Sequence, residues 1–170
     1  RLISLPVEIS EETAAAVTLQ GLTAQYLLRS SYVVQPGDTV LIQAAAGGMG
    51  LLLCQWARHL GATVIGTVSG DDKAALAIAH GCDHAIDYTR EDFSKRALEI
   101  TDGKGVTAVY DAVGQTTFDG GLACLADRGH MVSYGNASGP VAPLDIAMLS
   151  PKSLTLTRGS LGSYVRDPAD

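Results

Sequence analysis

The chain has 170 residues, 46% of them hydrophobic and 18% charged, with 19 Gly, 6 Pro and a formal net charge of −6. At roughly 100–200 residues per domain this is one domain, long enough to bury a sizeable core, and so low a charge fraction excludes a disordered chain. The acidic balance argues against a binder of nucleic acid or of an anionic membrane, and no apolar run approaches the ~20 residues that span a bilayer.

Ser10 ahead of Glu11-Glu12 predicts a helix start, with acids at the positive end of the helix dipole. This helix is expected to run through Ala14-Ala15-Ala16 towards Leu27-Leu28-Arg29, interrupted at Gly21. Gln35-Pro36-Gly37-Asp38 is a turn, and residues 39–44 (TVLIQA) read as a buried strand. The cluster Ala45-Ala46-Gly47-Gly48-Met49-Gly50 leads into a helix over 51–60 that Gly61 ends. A second buried strand spans 62–68, a helix runs from Asp71 to His80 before Gly81, and a short strand follows around Ala85-Ile86. The stretch 91–101 predicts a helix with Phe93, Ala97 and Ile100 on one face, stopped by Gly103. Strand 106–111, helix 116–125, strand 129–134 and a last strand 154–157 complete the order.

Short apolar strands alternating with helices describe βαβ units and a parallel sheet covered on both faces. The expected fold is α/β: a Rossmann-type, doubly wound parallel sheet of about six strands with helices on both sides, spanning residues 1–170 as one domain. Cys54, Cys82 and Cys124 are odd in number and form no C-x-x-C, which fits a reduced, cytoplasmic protein. No signal peptide is read at the start, and Arg1 in place of Met leads us to expect a piece of a longer chain.

Ligands of such sheets bind beyond the carboxyl ends of the strands, and the glycine cluster lies at the first strand-to-helix turn. A pyrophosphate needs close backbone approach and free N–H groups at a helix N-terminus. Gly47 and Gly50 match the second and third positions of G-x-G-x-x-G, with Ala45 at the first. The bland alternative is a tight turn of any α/β protein. A Walker loop is excluded, because Gly103-Lys104 is followed by Gly105 and not by Ser or Thr.

NAD sites place a carboxylate about 20 residues past the loop to hold the ribose hydroxyls. Here Ser69 stands 19 residues beyond Gly50, and Lys73 follows where a 2′-phosphate would need a cation. NADP is therefore preferred, although Lys73 is equally read as an exposed helix lysine and Asp71 or Asp72 turned inward would repel a phosphate.

The run Ala44-Ala45-Ala46-Gly47-Gly48-Met49-Gly50 resembles the A-A-A-G-G-x-G loop of NADPH:quinone oxidoreductases, the zeta-crystallin-like branch of the zinc-independent medium-chain dehydrogenase/reductase superfamily. Gly21-Leu22-Thr23-Ala24, Cys54-Gln55-Trp56-Ala57, Gly61-Ala62, Asp111-Ala112-Val113-Gly114 and Tyr134-Gly135-Asn136-Ala137-Ser138-Gly139 agree with it in order, over nearly the whole chain. By this resemblance the amides of Ala46, Gly47, Gly48 and Met49, with Gly50 closing the loop, would meet the pyrophosphate. Ser69, Lys73 and Tyr88 would line the 2′-phosphate, and Val113 and Gly114 the adenine-side ribose. Tyr134, Gly135 and Asn136 would lie by the nicotinamide, and Thr23 would border the pyrophosphate–nicotinamide side. Tyr134 replaces the more usual Phe, and Gly159 stands where relatives often carry Pro.

The resemblance implies hydride transfer from NADPH to a quinone or an α,β-unsaturated carbonyl, with catalytic residues unknown. It also implies a GroES-like catalytic domain and a C-terminal return segment that this sequence lacks, so that the segment alone would be inactive. Alternatives are an enoyl reductase-type domain and an NADP-binding module without turnover. A methyltransferase ranks below these, since it wants an acid where Ser69 sits. His80, Cys82, Asp83 and His84 straddle a helix end and a strand start, and no metal site is expected. Strand 154–157 would be an apolar sheet edge, and a homodimer through it is expected.

Overall fold

A computed structural model describes residues 4–166. Six strands, β1 (Thr39–Ile42), β2 (Thr63–Val68), β3 (His84–Asp87), β4 (Val106–Asp111), β5 (Leu125–Ser133) and β6 (Thr155–Arg158), form one sheet in the order β3-β2-β1-β4-β5-β6. Every pairing is parallel, as the near-continuous apolar strands predict. The order reverses between β1 and β4, which opens a crevice at the carboxyl ends of those two strands.

The alternation of strand side chains divides the core in two. Val40, Ile42, Val64, Tyr110 and Val132 face helices α1 (Glu11–Tyr26), α2 (Gly48–His59) and α3 (Asp71–Ala79). Leu41, Ile65, Val109 and Met131 face α4 (Phe93–Ile100) and α5 (Phe118–Cys124). Ser10 caps α1 by accepting the Thr13 N–H at 3.1 Å, and Asp92 caps α4 by accepting those of Ser94 and Lys95 at 2.9 and 3.3 Å. Ala97 is buried, with Phe93 and Ile100 packed beside it, so the predicted face of α4 holds.

Several boundaries differ. α1 runs unbroken through Gly21 and passes into a single π-helical stretch, Leu27–Ser31, that buries Leu27 and Leu28. α2 begins at Gly48, inside the glycine cluster. β5 begins at Leu125, which the sequence reads as the end of a helix, and runs into the expected strand 129–134 through a register shift against β4 and a left-handed Arg128 (φ 62°). A 3₁₀ segment (Ile146–Lys152) and a short α6 (Leu161–Tyr164) carry no periodicity that announces them. α6 matters for the chain's ends. Tyr164 stacks on Tyr26 of α1 with ring centroids 4.3 Å apart, and its hydroxyl lies 2.8 Å from Ser31 Oγ.

Candidate functional site

The glycine loop is pinned to the ends of β1 and β2. Ala44 adopts a left-handed φ of 54°, its N–H reaches Thr67 Oγ1 at 3.1 Å, and the Ala45 N–H reaches the Thr67 carbonyl at 2.9 Å. Gly47 then serves as the N-cap of α2 without any side chain over the helix end, so the first-turn N–H groups stay open to a ligand. A Cβ on Gly47 would stand 3.2 Å from the Ala44 carbonyl oxygen. One on Gly50 would run into that same oxygen and lie 2.6 Å from the carbonyl carbon and oxygen of Ala45. One on Gly48 would meet only the Gln20 side-chain amide of α1, at 2.9 Å from its nitrogen. Gly50 is thus the residue that lets α2 approach the strand end.

Two cavities flank this loop. A smaller one of about 180 Å³ is lined by Ala46, Gly47, Val68, Ser69, Lys73 and Tyr88, among others. The Lys73 ammonium donates to Ser69 Oγ at 3.0 Å, one turn back across the start of α3, so both side chains face the same space. A larger cavity of about 630 Å³ lies past the ends of β1, β2 and β4 and shares Ala44, Thr67 and Tyr88 with the first. Val113 and Phe93 line it further on.

Beneath these cavities the carboxyl ends of the strands carry a polar row on the α4/α5 face: Thr67, Gln43, Asp111 and Ser133, all at most 3% exposed. Thr67 Oγ1 donates to Gln43 Oε1 at 2.6 Å, which leaves the Gln43 amide nitrogen, at the wall of the larger cavity, without a partner. Asp111 Oδ1 accepts the N–H groups of Val113 and Gly114 at 2.7 and 3.1 Å and the Thr117 hydroxyl at 2.9 Å. Arg158 donates to Ser133 Oγ at 2.8 Å and to the Gly135 carbonyl at 2.9 Å.

The structure therefore gathers Ala46, Gly47, Ser69, Lys73 and Tyr88 in one pocket and brings Val113 to its neighbour. Gly114 lies behind Val113 with φ 88°, where a Cβ would stand 2.7 Å from the Gly139 carbonyl oxygen. Gly135 packs on Ala112, its Cβ position 2.8 Å from Ala112 Cα. Asn136 opens instead onto a separate groove of about 300 Å³ with Ser133, Leu156 and Arg158. Met49 packs towards the α1/α2 core. Tyr134 does too, on the opposite side of the sheet from Ser133, and burial raises its phenol pKa above the usual range. Thr23 donates to the Leu19 carbonyl at 2.7 Å within α1 and lines none of these three cavities.

Sequence reasoning missed Gln43 and Thr67. A Gln and a Thr in otherwise apolar buried strands are a signal, because a buried amide needs a partner.

No group of three or more His, Cys, Asp or Glu that could hold a metal occurs among the described residues. Cys82 Sγ points at the His84 carbonyl, His80 Nδ1 lies 2.8 Å from the Leu76 carbonyl, and Asp83 accepts the Val64 N–H at 2.8 Å. Burial pushes the Cys124 thiol up to about 12, far from the thiolate that binds zinc.

Comparison with known proteins agrees with this geometry. A quinone oxidoreductase of Pseudomonas aeruginosa is 53% identical over 169 residues, which are 99% of this chain and 52% of that protein. A 2-haloacrylate reductase of Burkholderia sp. is 46% identical over 176 residues, covering all of this chain and 52% of its own length. The crystal structure of Escherichia coli quinone oxidoreductase complexed with NADPH superposes with a TM-score of 0.92 at 49% identity, covering 96% of this chain and 50% of that one. The chain thus spans about half the length of these relatives. The zinc-binding dehydrogenase model matches residues 48–169, from the first turn of α2 onward, and the chain belongs to that family.

Proposed function

We propose that this chain binds NADPH and forms the cofactor half of a reductase acting on a quinone or an α,β-unsaturated carbonyl. The observation that carries the reading is the small pocket, where Ser69, Lys73 and Tyr88 converge on the glycine loop and no carboxylate lines the wall. An NAD site would hold an acid there. The names of the relatives support the reading: two are a quinone oxidoreductase and a haloacrylate reductase, and a third is an NADPH complex.

The residues present fit the cofactor. Gly47 and Gly50 let α2 close onto the strand end, where a Cβ would meet the Ala44 and Ala45 backbone, so that the uncapped first turn faces the site, and the Gln43 amide is an unpaired buried donor at the wall of the larger cavity. When bound, NADPH supplies the hydride. The chain's part is to bind and orient: the amides of Ala46, Gly48 and Met49 hold the pyrophosphate, while that of Gly47, expected to join them, is taken by the Ala44 carbonyl at 2.9 Å; Ser69, Lys73 and Tyr88 hold the 2′-phosphate, and Val113 and Gly114 the ribose. Gly135, Asn136 and the main chain of Tyr134 serve the nicotinamide end, with Thr23 at its border. The described residues hold no group of three or more His, Cys, Asp or Glu that could take the zinc of the family's description.

Titration calorimetry with NADPH, NADH and S-adenosylmethionine tests the reading. NADPH is expected to bind most tightly, and Lys73→Ala to weaken it by roughly tenfold, about 1.4 kcal/mol, while leaving NADH unchanged. Equal or absent binding of NADPH relative to NADH overturns the assignment.

We also propose a homodimer through β6 and a cytoplasmic location. β6 is a sheet edge with Leu156 37% exposed, and an apolar edge strand is a template for pairing. The three cysteines are buried free thiols, which supports a reducing compartment, and no helix of the described residues is long and apolar enough to cross a membrane. Sedimentation equilibrium is expected to give twice the chain mass. A mass near 17.6 kDa at high protein concentration overturns the dimer.

A further inference from the structure

The first turn of α3 presents a conflict for a phosphate pocket. Asp71 and Asp72 precede Lys73, so the sequence there carries one more negative charge than positive where a dianion is to be held. The structure resolves this with a residue from another loop. Arg90, past the end of β3, reaches Asp71 with both terminal nitrogens, Nη1 to Oδ1 at 2.8 Å and Nη2 to Oδ2 at 3.1 Å. Its Nε lies 3.1 Å from Asp87 Oδ2, and its backbone N–H donates to the Asp87 carbonyl at 3.0 Å.

The two halves of this arrangement differ in firmness. The Asp87 side chain is only 12% exposed, and Oδ1 is tied to the Thr89 hydroxyl and N–H at 2.7 and 3.0 Å. It anchors the inner end of the guanidinium. Asp71 is 80% exposed and Arg90 62%, so their fork-to-fork contact is a surface pair of little net stability. A guanidinium fork fits phosphate oxygens as well as it fits a carboxylate. Arg90 also stands two residues from Tyr88, which lines both cavities of the site.

We propose that Arg90 determines the cofactor's phosphate specificity: anchored on Asp87, it masks Asp71 in the free protein and exchanges that carboxylate for the 2′-phosphate beside Lys73. Asp71 is then an internal competitor. A cofactor without the phosphate leaves the Arg90–Asp71 pair in place and gains nothing from it. The inference rests on the NADPH reading and deepens it.

Equilibrium binding of adenosine 2′,5′-bisphosphate and of adenosine 5′-monophosphate isolates the phosphate without any turnover. Arg90→Ala is expected to weaken the bisphosphate about tenfold and leave the monophosphate unchanged, and Arg90→Lys to recover only part of the loss, since it lacks the fork. Asp71→Asn is expected to tighten the bisphosphate several-fold by freeing Arg90. The bisphosphate's affinity should fall less steeply with salt in Arg90→Ala than in the unaltered chain. If Arg90→Ala binds both nucleotides as the unaltered chain does, or loses both equally, the proposal fails. The NADPH reading survives that result provided Lys73→Ala still removes the discrimination. An unaltered chain that does not distinguish the two nucleotides overturns both.

Discussion

Replacing Gly50 with alanine is expected to destabilise the chain by about 3 kcal/mol and to abolish cofactor binding. The added Cβ would enter space held by the Ala44 carbonyl oxygen and lie 2.6 Å from the Ala45 carbonyl carbon and oxygen. These are backbone atoms fixed by the bonds of Ala44 and Ala45 to Thr67, so no rotamer change can relieve the clash. Either α2 lifts away from β1 or the left-handed Ala44 turn unwinds, and both displace the first-turn N–H groups. Gly48→Ala provides the contrast: its Cβ meets only the end of the Gln20 side chain, which can swing aside. Urea denaturation should separate the two variants by their midpoints at unchanged slope. Equal midpoints would show that Gly50 is not the closure point.

Asp111→Ala is expected to cost about 3 kcal/mol, and Asp111→Asn no more than about 1 kcal/mol. The carboxylate is fully buried, and one oxygen accepts from Val113, Gly114 and Thr117. Alanine would strip the Val113 and Gly114 N–H groups of their acceptor inside the protein and leave the Thr117 hydroxyl only the Gly114 carbonyl at 3.3 Å. Asparagine keeps an oxygen at that position, and the second oxygen has no hydrogen-bond partner to lose. Chemical denaturation at neutral pH measures both. Equal losses would mean that charge, and not the three-way acceptor, holds the loop after β4. Since Val113 lines the larger cavity, the alanine variant should also bind the cofactor weakly even when folded.

Much of this architecture is legible in the sequence. β1, β2 and β4 carry the double-sided apolar character that a covered parallel sheet demands, and the glycine loop falls where a β1-to-α2 turn requires close approach. The place of Tyr134 was legible too: strand alternation sets Ser133 with Met131 and sends its neighbour to the Val132 side. What stays hidden is what only tertiary proximity creates. Arg90 and Asp71 are 19 residues apart, in a loop and a helix start joined by no period or motif. The early start of β5 depends on an irregular register with β4, and residues 125–128, with Asp127 and Arg128 exposed, carry no strand pattern when read alone. The 3₁₀ segment contains Pro151 and buries none of its residues, so no hydrophobic pattern marks it.

The tyrosine clasp between α1 and α6 has a mechanical consequence. Tension applied between the segments leading into α1 and out of α6 would load Tyr26, Tyr164 and Ser31 before it reached the hydrogen-bonded sheet. The clasp sits at the end of α1 far from Glu11, so the whole helix lies between the entering segment and the stacked rings. Gln20, near the middle of α1, rests against Gly48 at the mouth of the loop, so a load carried along α1 passes the cofactor loop on its way to the clasp.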